Sequence, residues 1–253
     1  MPEIRCFSTG RIRPKRDERG LRRYLPGGWD DRTLPVNVVL VEHPAGLCLF
    51  DTGQAARPGR SAYVPGRHPF LRLARFELGP DDEAGPQLTR LGLDPMDVRW
   101  VVLSHLHIDH VGGLTAFTHA EVLVSRVEWK RAQGLPGRLR GYLPSRWPSQ
   151  LKPTLLDFGD EPFGPFGASH DVAGDGRLLV VPLPGHTPGH VGLLVHNGRP
   201  MLCAGDAAAT SAKLDALDPR VARFCRDERI VLVKAHETPE LERVERTALG
   251  ASE

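Results

Sequence analysis

The sequence predicts an α/β fold with a site along one rim of a sheet. Three observations carry that prediction. Short aliphatic runs of strand length alternate with helical segments along the chain. No glycine fingerprint of a dinucleotide-binding fold follows any strand. Polar residues gather just past strand ends, at His105 to His110, His190, Asp206 and His236. The carboxyl ends of strands are where α/β proteins build their sites.

The chain of 253 residues is long enough to bury a full core and is expected to form one domain over 1–253, with a loop-rich arm over about 1–35. Its net charge of +2 supplies no global field toward nucleic acid or membrane. Cys6, Cys48, Cys203 and Cys225 are scattered, with no CxxC pair. They are expected to be reduced core thiols. The N-terminus has no apolar leader, so the expected location is the cytoplasm.

The first elements read as follows. Residues 11–23 hold seven Arg or Lys without interleaved aromatics, as in a solvated arm. Residues 24–35 form a loop carrying Tyr24 and Trp29. Val36 to Val41 and Leu47 to Phe50 form a hairpin, with His43 exposed at its turn. Asp51-Thr52-Gly53 ends the second strand and can place a carboxylate behind a ligand histidine. Residues 54–79 read as a long loop, with no partner for His68. Asp81-Asp82 caps a helix toward Leu91.

Trp100 to Leu103 is the central, doubly buried strand. A short helix is expected after Gly113, then a strand at Glu121 to Val124. Ser125 with Glu128 reads as a capping box for a helix to about Gln133. Residues 134–150 form a lid-like loop with Leu135, Leu139, Tyr142, Leu143 and Trp147. Strands follow at Leu178 to Val181 and Val191 to Val195, and Asn197-Gly198 turns into Met201 to Ala204. Asp218-Pro219 opens a helix, Ile230 to Val233 is a strand, and a last helix begins near Pro239.

The chemistry concentrates in WVVLSHLHIDHVGG, residues 100–113. Three imidazoles and a carboxylate within six residues are costly to bury without a partner, and a cation supplies one. A solvated polar loop is the plainer alternative. Successive extended residues point to opposite sides, so His105 and His107 can grip one ion together. A turn at Asp109-His110 sends two more donors to a second. With the later strand-end residues, one ion takes His105, His107 and His190, and the other takes Asp109, His110 and His236. Asp206 bridges them. Each ion keeps room for water, as catalysis requires.

These residues resemble the metallo-β-lactamase superfamily: His105-Leu106-His107-Ile108-Asp109-His110, then Gly189-His190, Gly205-Asp206 and Ala235-His236. The resemblance spans residues 36–236. It implies an αββα sandwich with a binuclear site along one edge, and a supporting role for Asp51. His186, the first histidine of the HTPGH segment, is implied to stand behind the ligands at most. Within the superfamily, Asp206 counts against the true β-lactamases, which carry Cys or Ser there. The short tail after His236 is unlike glyoxalase II, and the extra domains of the nuclease and flavodiiron branches are not expected. The nearest resemblance is to N-acyl homoserine lactonases. Many of those carry a Tyr three residues after the bridging Asp, where this chain has Ala209.

The resemblance implies hydrolysis of a lactone by water activated between two divalent metal ions, with Asp109 or Asp206 carrying the proton to the leaving alkoxide. Zinc suits these ligands, and Fe, Mn or Co fit as well. Another ester, a thioester, a phosphotriester or a β-lactam is the alternative substrate. A binding protein that kept the metals without turnover is the alternative of another class. The expected partner is a small lactone or ester, with neither nucleic acid nor membrane, acting as a monomer or homodimer.

Overall fold

The structure is a computed structural model that describes residues 3–15, 28–56, 74–158, 163–207 and 217–237. Seven strands make the first sheet: β1 (Glu3–Pro14), β2 (Leu34–His43), β3 (Gly46–Phe50), β4 (Ala74–Glu77), β5 (Val98–Val102), β6 (Glu121–Ser125) and β7 (Thr154–Leu156). Their order across the sheet is β4-β1-β2-β3-β5-β6-β7. Five strands make the second: β8 (His170–Asp171), β9 (Leu178–Pro182), β10 (Val191–Val195), β11 (Met201–Cys203) and β12 (Val231–Val233). Their order is β12-β11-β10-β9-β8.

Strand alternation builds the layers. Val39 and Val41 face inward with Phe50, Trp100 and Val102, against Val180, Leu193, Cys203 and Val233 of the other sheet. Their neighbours Val38 and Leu40 face outward, under Leu88 of α1 (Ala84–Arg90) and Ala132 of α3 (Arg126–Ala132). On the far side, Leu194 and Leu202 pack beneath Val221 and Cys225 of α5 (Pro219–Asp227). Helix, sheet, sheet and helix stack in that order, which is the expected αββα sandwich. All four cysteines are buried and form no disulfide. Among the described residues no helix is long and apolar enough to cross a membrane.

Several expectations need correcting. The arm over 1–35 is not all loop: β1 occupies Glu3–Pro14, with Ile4, Cys6 and Ile12 buried between more exposed residues. Part of the long loop at 54–79 is the strand β4, paired antiparallel to β1. The short helix expected after Gly113 is a 3-10 helix over Gly112–Phe117, and it is preceded by α2 (Ile108–Val111), so Asp109 and His110 also sit on a helical turn. His43 is buried, with Nε2 3.0 Å from Asp175 Oδ2.

The lid-like segment contains α4 (Gly134–Leu139) and a 3-10 turn at Pro144–Arg146. Its Tyr142 and Leu143 are core residues, and Trp147 stacks on Trp129. Leu135 and Leu139 stay exposed. Ser125 precedes α3, but no side-chain cap bond forms there, and Glu128 turns elsewhere. The strands β7 and β8 were not expected. Tyr24, His68, Ala209 and the helix expected near Pro239 lie outside the described residues, as does Phe70, an apolar group of the 54–79 loop.

Candidate metal centre

β3 and β5 run parallel, so both deliver their carboxyl ends to one rim. Asp51 leaves β3 with φ +63°, a left-handed conformation that Asp tolerates better than most residues. Its carboxylate accepts Ser104 N–H at 2.8 Å and Ser104 Oγ–H at 2.8 Å. The same carboxylate stands 2.8 Å from His110 Nδ1. Thr52 ties the site helix to this triplet, since its N–H and Oγ1 both donate to the His110 carbonyl.

These bonds set tautomers. A carboxylate only accepts, so neutral His110 carries its proton on Nδ1 and turns the Nε2 lone pair inward. Ser104 Oγ donates to Asp51, so it is free to accept from His105 Nδ1, 3.0 Å away. His105 Nε2 then also faces the centre. On the other sheet, β11 and β12 are parallel and bring Asp206 and His236 to the same rim. His236 Nδ1 donates to the Pro35 carbonyl at 2.8 Å, again leaving Nε2 inward. The Asp51 and Pro35 contacts are of the kind that orient metal-binding imidazoles.

Donor atoms converge in three groups, each within 4.8 Å: His105, His107 and His186; His105, His110 and Asp206; and Asp109, His110 and His236. His107 Nδ1 lies 3.0 Å from His105 Nε2 and 3.0 Å from His186 Nε2. His236 Nε2 lies 3.2 Å from Asp206 Oδ1 and 3.5 Å from Asp109 Oδ2. Asp206 reaches both sides, with Oδ2 3.5 Å from His186 Nε2 and Oδ1 3.5 Å from His110 Nε2.

His190 lies outside these three groups but is buried beside them, with Nε2 accepting the Asp206 N–H at 3.1 Å, Nδ1 without a hydrogen-bond partner, and its ring centroid 5.3 Å from that of His105. His186 adds a donor beside His105 and His107. In the turn between them, Gly185 N–H and His190 N–H both donate to the Thr187 carbonyl. That turn leaves His186 on the rim and tucks His190 beneath Asp206 at the start of β10. Ser104 and Pro35, which fix ring orientation, carry no signal in the sequence.

Electrostatics divide the centre in two. Burial drives His105 well below the ordinary histidine range, His107 to about 4 and His190 to about 3, so these rings are neutral. For His110, burial opposes charge, but Asp51, Asp206 and Asp109 override it and hold its pKa well above normal. His236 is raised likewise, burial being outweighed by Asp206 and Asp109. Asp206 is held well below the carboxylate range, because His236 and His110 outweigh its own burial.

The residues fit divalent cations on their own geometry. Among the described residues of the cluster, His110 Nε2, His190 Nδ1 and Asp206 Oδ1 are buried without a hydrogen-bond partner. Buried polar atoms of that kind call for a ligand. Inward imidazole lone pairs with a few carboxylates form an N/O donor set of borderline softness.

A two-sheet sandwich with a histidine and aspartate cluster on its rim is the architecture of a metallohydrolase. Residues 31–233 match the Metallo-beta-lactamase superfamily, and the chain belongs to that family. The N-acyl homoserine lactonase AttM of Agrobacterium fabrum is 34% identical over 192 residues, covering 73% of this chain and 69% of the relative. A probable metallo-hydrolase of Mycobacterium tuberculosis is 37% identical over 191 residues, covering 71% of this chain and 58% of the relative. Among solved structures, an N-acyl homoserine lactone hydrolase with the product N-hexanoyl-L-homoserine at its catalytic metal centre superposes with a TM-score of 0.71. It is 21% identical and covers 95% of each chain, a likeness that shows the shared fold.

Proposed function

We propose that this chain is a metal-dependent hydrolase that opens lactones, with N-acyl homoserine lactones as the substrate class. One observation carries the proposal. Histidine and aspartate donors from both sheets converge on one rim, with buried His110 Nε2 and Asp206 Oδ1 lacking partners. In this reading His105, His107 and His186 hold one cation, and Asp109, His110 and His236 hold the other. Asp206 serves both. Zinc suits the donor set best, with Fe, Mn or Co as alternatives. The lactone class is supported by the 34% identity to a lactonase.

When bound, such ions supply a water of lowered pKa and a Lewis acid for the carbonyl oxygen. The chain's own residues do the rest. Asp51, through Ser104, and the Pro35 carbonyl keep three imidazoles in the tautomer that points a lone pair inward. Water adds to the carbonyl carbon and the ring C–O bond breaks. Asp109 or Asp206 takes the proton that water gives up and returns it to the departing alkoxide. Neither aspartate needs to travel, since both carboxylates lie within 3.5 Å of His236 Nε2.

The acyl part has apolar surface near at hand. Leu135 and Leu139 are exposed on α4, just before Tyr142, whose ring centroid lies 5.0 Å from that of His107. The other large groups described in the loops at 24–35 and 134–150 are engaged: Tyr142 is buried, Trp147 stacks on Trp129, and Arg75 covers Trp29. The deciding experiment combines metal analysis with a hydrolysis panel. Lactones of rising acyl length are run beside a thioester, a carbapenem, an aryl ester and a phosphotriester. The expected result is close to two ions per chain, with kcat/KM highest for lactones and rising with tail length. Each buried methylene contributes at most about 0.8 kcal/mol. Preference for the thioester or the β-lactam overturns the lactone assignment, and absence of metal after reconstitution overturns the metal reading.

A further inference from the structure

Glu128 is almost wholly buried, at 1% exposure, on the first turn of α3. The sequence suggests a helix cap, yet its carboxylate points away from the helix end. Oε1 accepts the Leu106 N–H at 3.2 Å. Leu106 is the residue between His105 and His107. Oε2 accepts the Thr187 hydroxyl at 2.7 Å. Thr187 is buried and directly follows His186. One carboxylate therefore spans the two loops, one from each sheet, that carry the three histidines of the first donor group.

Two further contacts tighten this arrangement. Gly189 lies so close to α3 that a Cβ there would sit 2.2 Å from Glu128 N. The HTPGH turn is thus pressed onto the start of the helix. Burial, together with the nearby Glu128 carboxylate, raises the Tyr142 phenol pKa. Tyr142 in turn packs its ring on His107 and forms a backbone bridge with it. The second donor group, Asp109, His110 and His236, is braced elsewhere, by Asp51 and by the Pro35 carbonyl.

We infer that Glu128 is a positioning residue that sets the spacing between His105, His107 and His186, and so governs the affinity of one metal ion and not the other. The inference rests on the proposed two-ion reading. Replacing the acid by its amide removes the charge from both bonds. Glutamine keeps one acceptor oxygen for the Leu106 N–H, and its N–H₂ meets Thr187 only if that hydroxyl turns round to accept, so two charge-assisted bonds become weaker neutral ones.

The test is Co²⁺ and Zn²⁺ binding to the full chain by chelator competition, with the Co²⁺ absorption spectrum recorded at each step. Wild type should bind two ions, and failure to do so sinks the two-ion reading itself. Glu128→Gln should weaken one ion by 10–100-fold, the range for residues that orient metal ligands, and leave the other within about threefold. Thr187→Val removes one arm only and should show a smaller loss at the same ion. Thr187→Ser restores the hydroxyl and should return affinity close to wild type. This last pair decides the matter if Glu128→Gln does not fold. Equal weakening of both ions, unchanged affinity in Glu128→Gln, or no difference between Thr187→Val and Thr187→Ser overturns the inference.

Discussion

Asp51→Asn should cripple metal binding while leaving the fold nearly intact. The native carboxylate accepts three donors: Ser104 N–H, Ser104 Oγ–H and His110 Nδ1–H, each at 2.8 Å. Asparagine keeps the shape, and its oxygen can keep the Ser104 N–H. Its amide nitrogen donates where Oδ2 accepted. His110 Nδ1 must then accept, which moves the ring proton to Nε2 and removes the inward lone pair. Ser104 Oγ now receives a proton from the amide and can donate to His105 Nδ1 at 3.0 Å, so the second ring is turned the same way. Disturbing a residue that orients ligands costs 10–100-fold in metal affinity, or about 1.4–2.7 kcal/mol. Asp51→Ala is a poorer probe, because it leaves three buried donors unpaired at about 1–3 kcal/mol each. The assay is chelator competition on both ions, beside urea unfolding of the metal-free proteins. The reasoning fails if Asp51→Asn holds both ions within twofold of wild type.

Three further outcomes are expected. His186→Ala should lose one ion of two, whereas His190→Ala should keep both but lose stability by about 1–3 kcal/mol, since the buried Asp206 N–H loses its acceptor; metal content and denaturant midpoints of the two variants separate these roles, and the reverse pattern would restore His190 as the ligand. Gly189→Ala forces a Cβ to 2.2 Å from Glu128 N and should destabilise by about 1–3 kcal/mol, seen as a lower urea midpoint at unchanged slope. Cys48 has its thiol pKa pushed up to about 12 by burial, so at pH 8 it stays protonated. Iodoacetamide should label it only after unfolding, and rapid labelling of the native protein would contradict its place in the core.

Much of the centre was legible because its residue types are expensive to bury for any other purpose. His105, His107, Asp109 and His110 lie within one short stretch, and Asp206 and His236 follow aliphatic strands. How the two histidines of the turn are disposed was not legible. His186 and His190 flank Thr-Pro-Gly, and the hydrogen bonds of that turn leave the first more exposed and the second buried. Glu128 misled for a similar reason. Its spacing from Ser125 fits a cap, but a buried carboxylate goes to whatever donors the tertiary fold brings, here Leu106 and Thr187. β1 could have been read, since buried Ile4 and Cys6 sit either side of the partly exposed Arg5, as a half-buried strand requires. Arg5, Arg11 and Arg13 interrupt that period with charge. β7 and β8 are three and two residues long, too short for any period to show.

The order of strands along the chain has a consequence during synthesis. The first sheet uses residues 3–156 and the second uses residues 170–233. A ribosome therefore delivers an entire sheet before any strand of its cover. Until the second sheet arrives, Val39, Phe50, Trp100 and Val102 have nothing to pack against on that side. Bare apolar faces of this kind are what nascent chains lose to aggregation. His236 is made after all of them, so metal cannot lock the rim early and rescue a stalled intermediate. Yield in the cell should then respond more to chaperone supply and growth temperature than to metal in the medium.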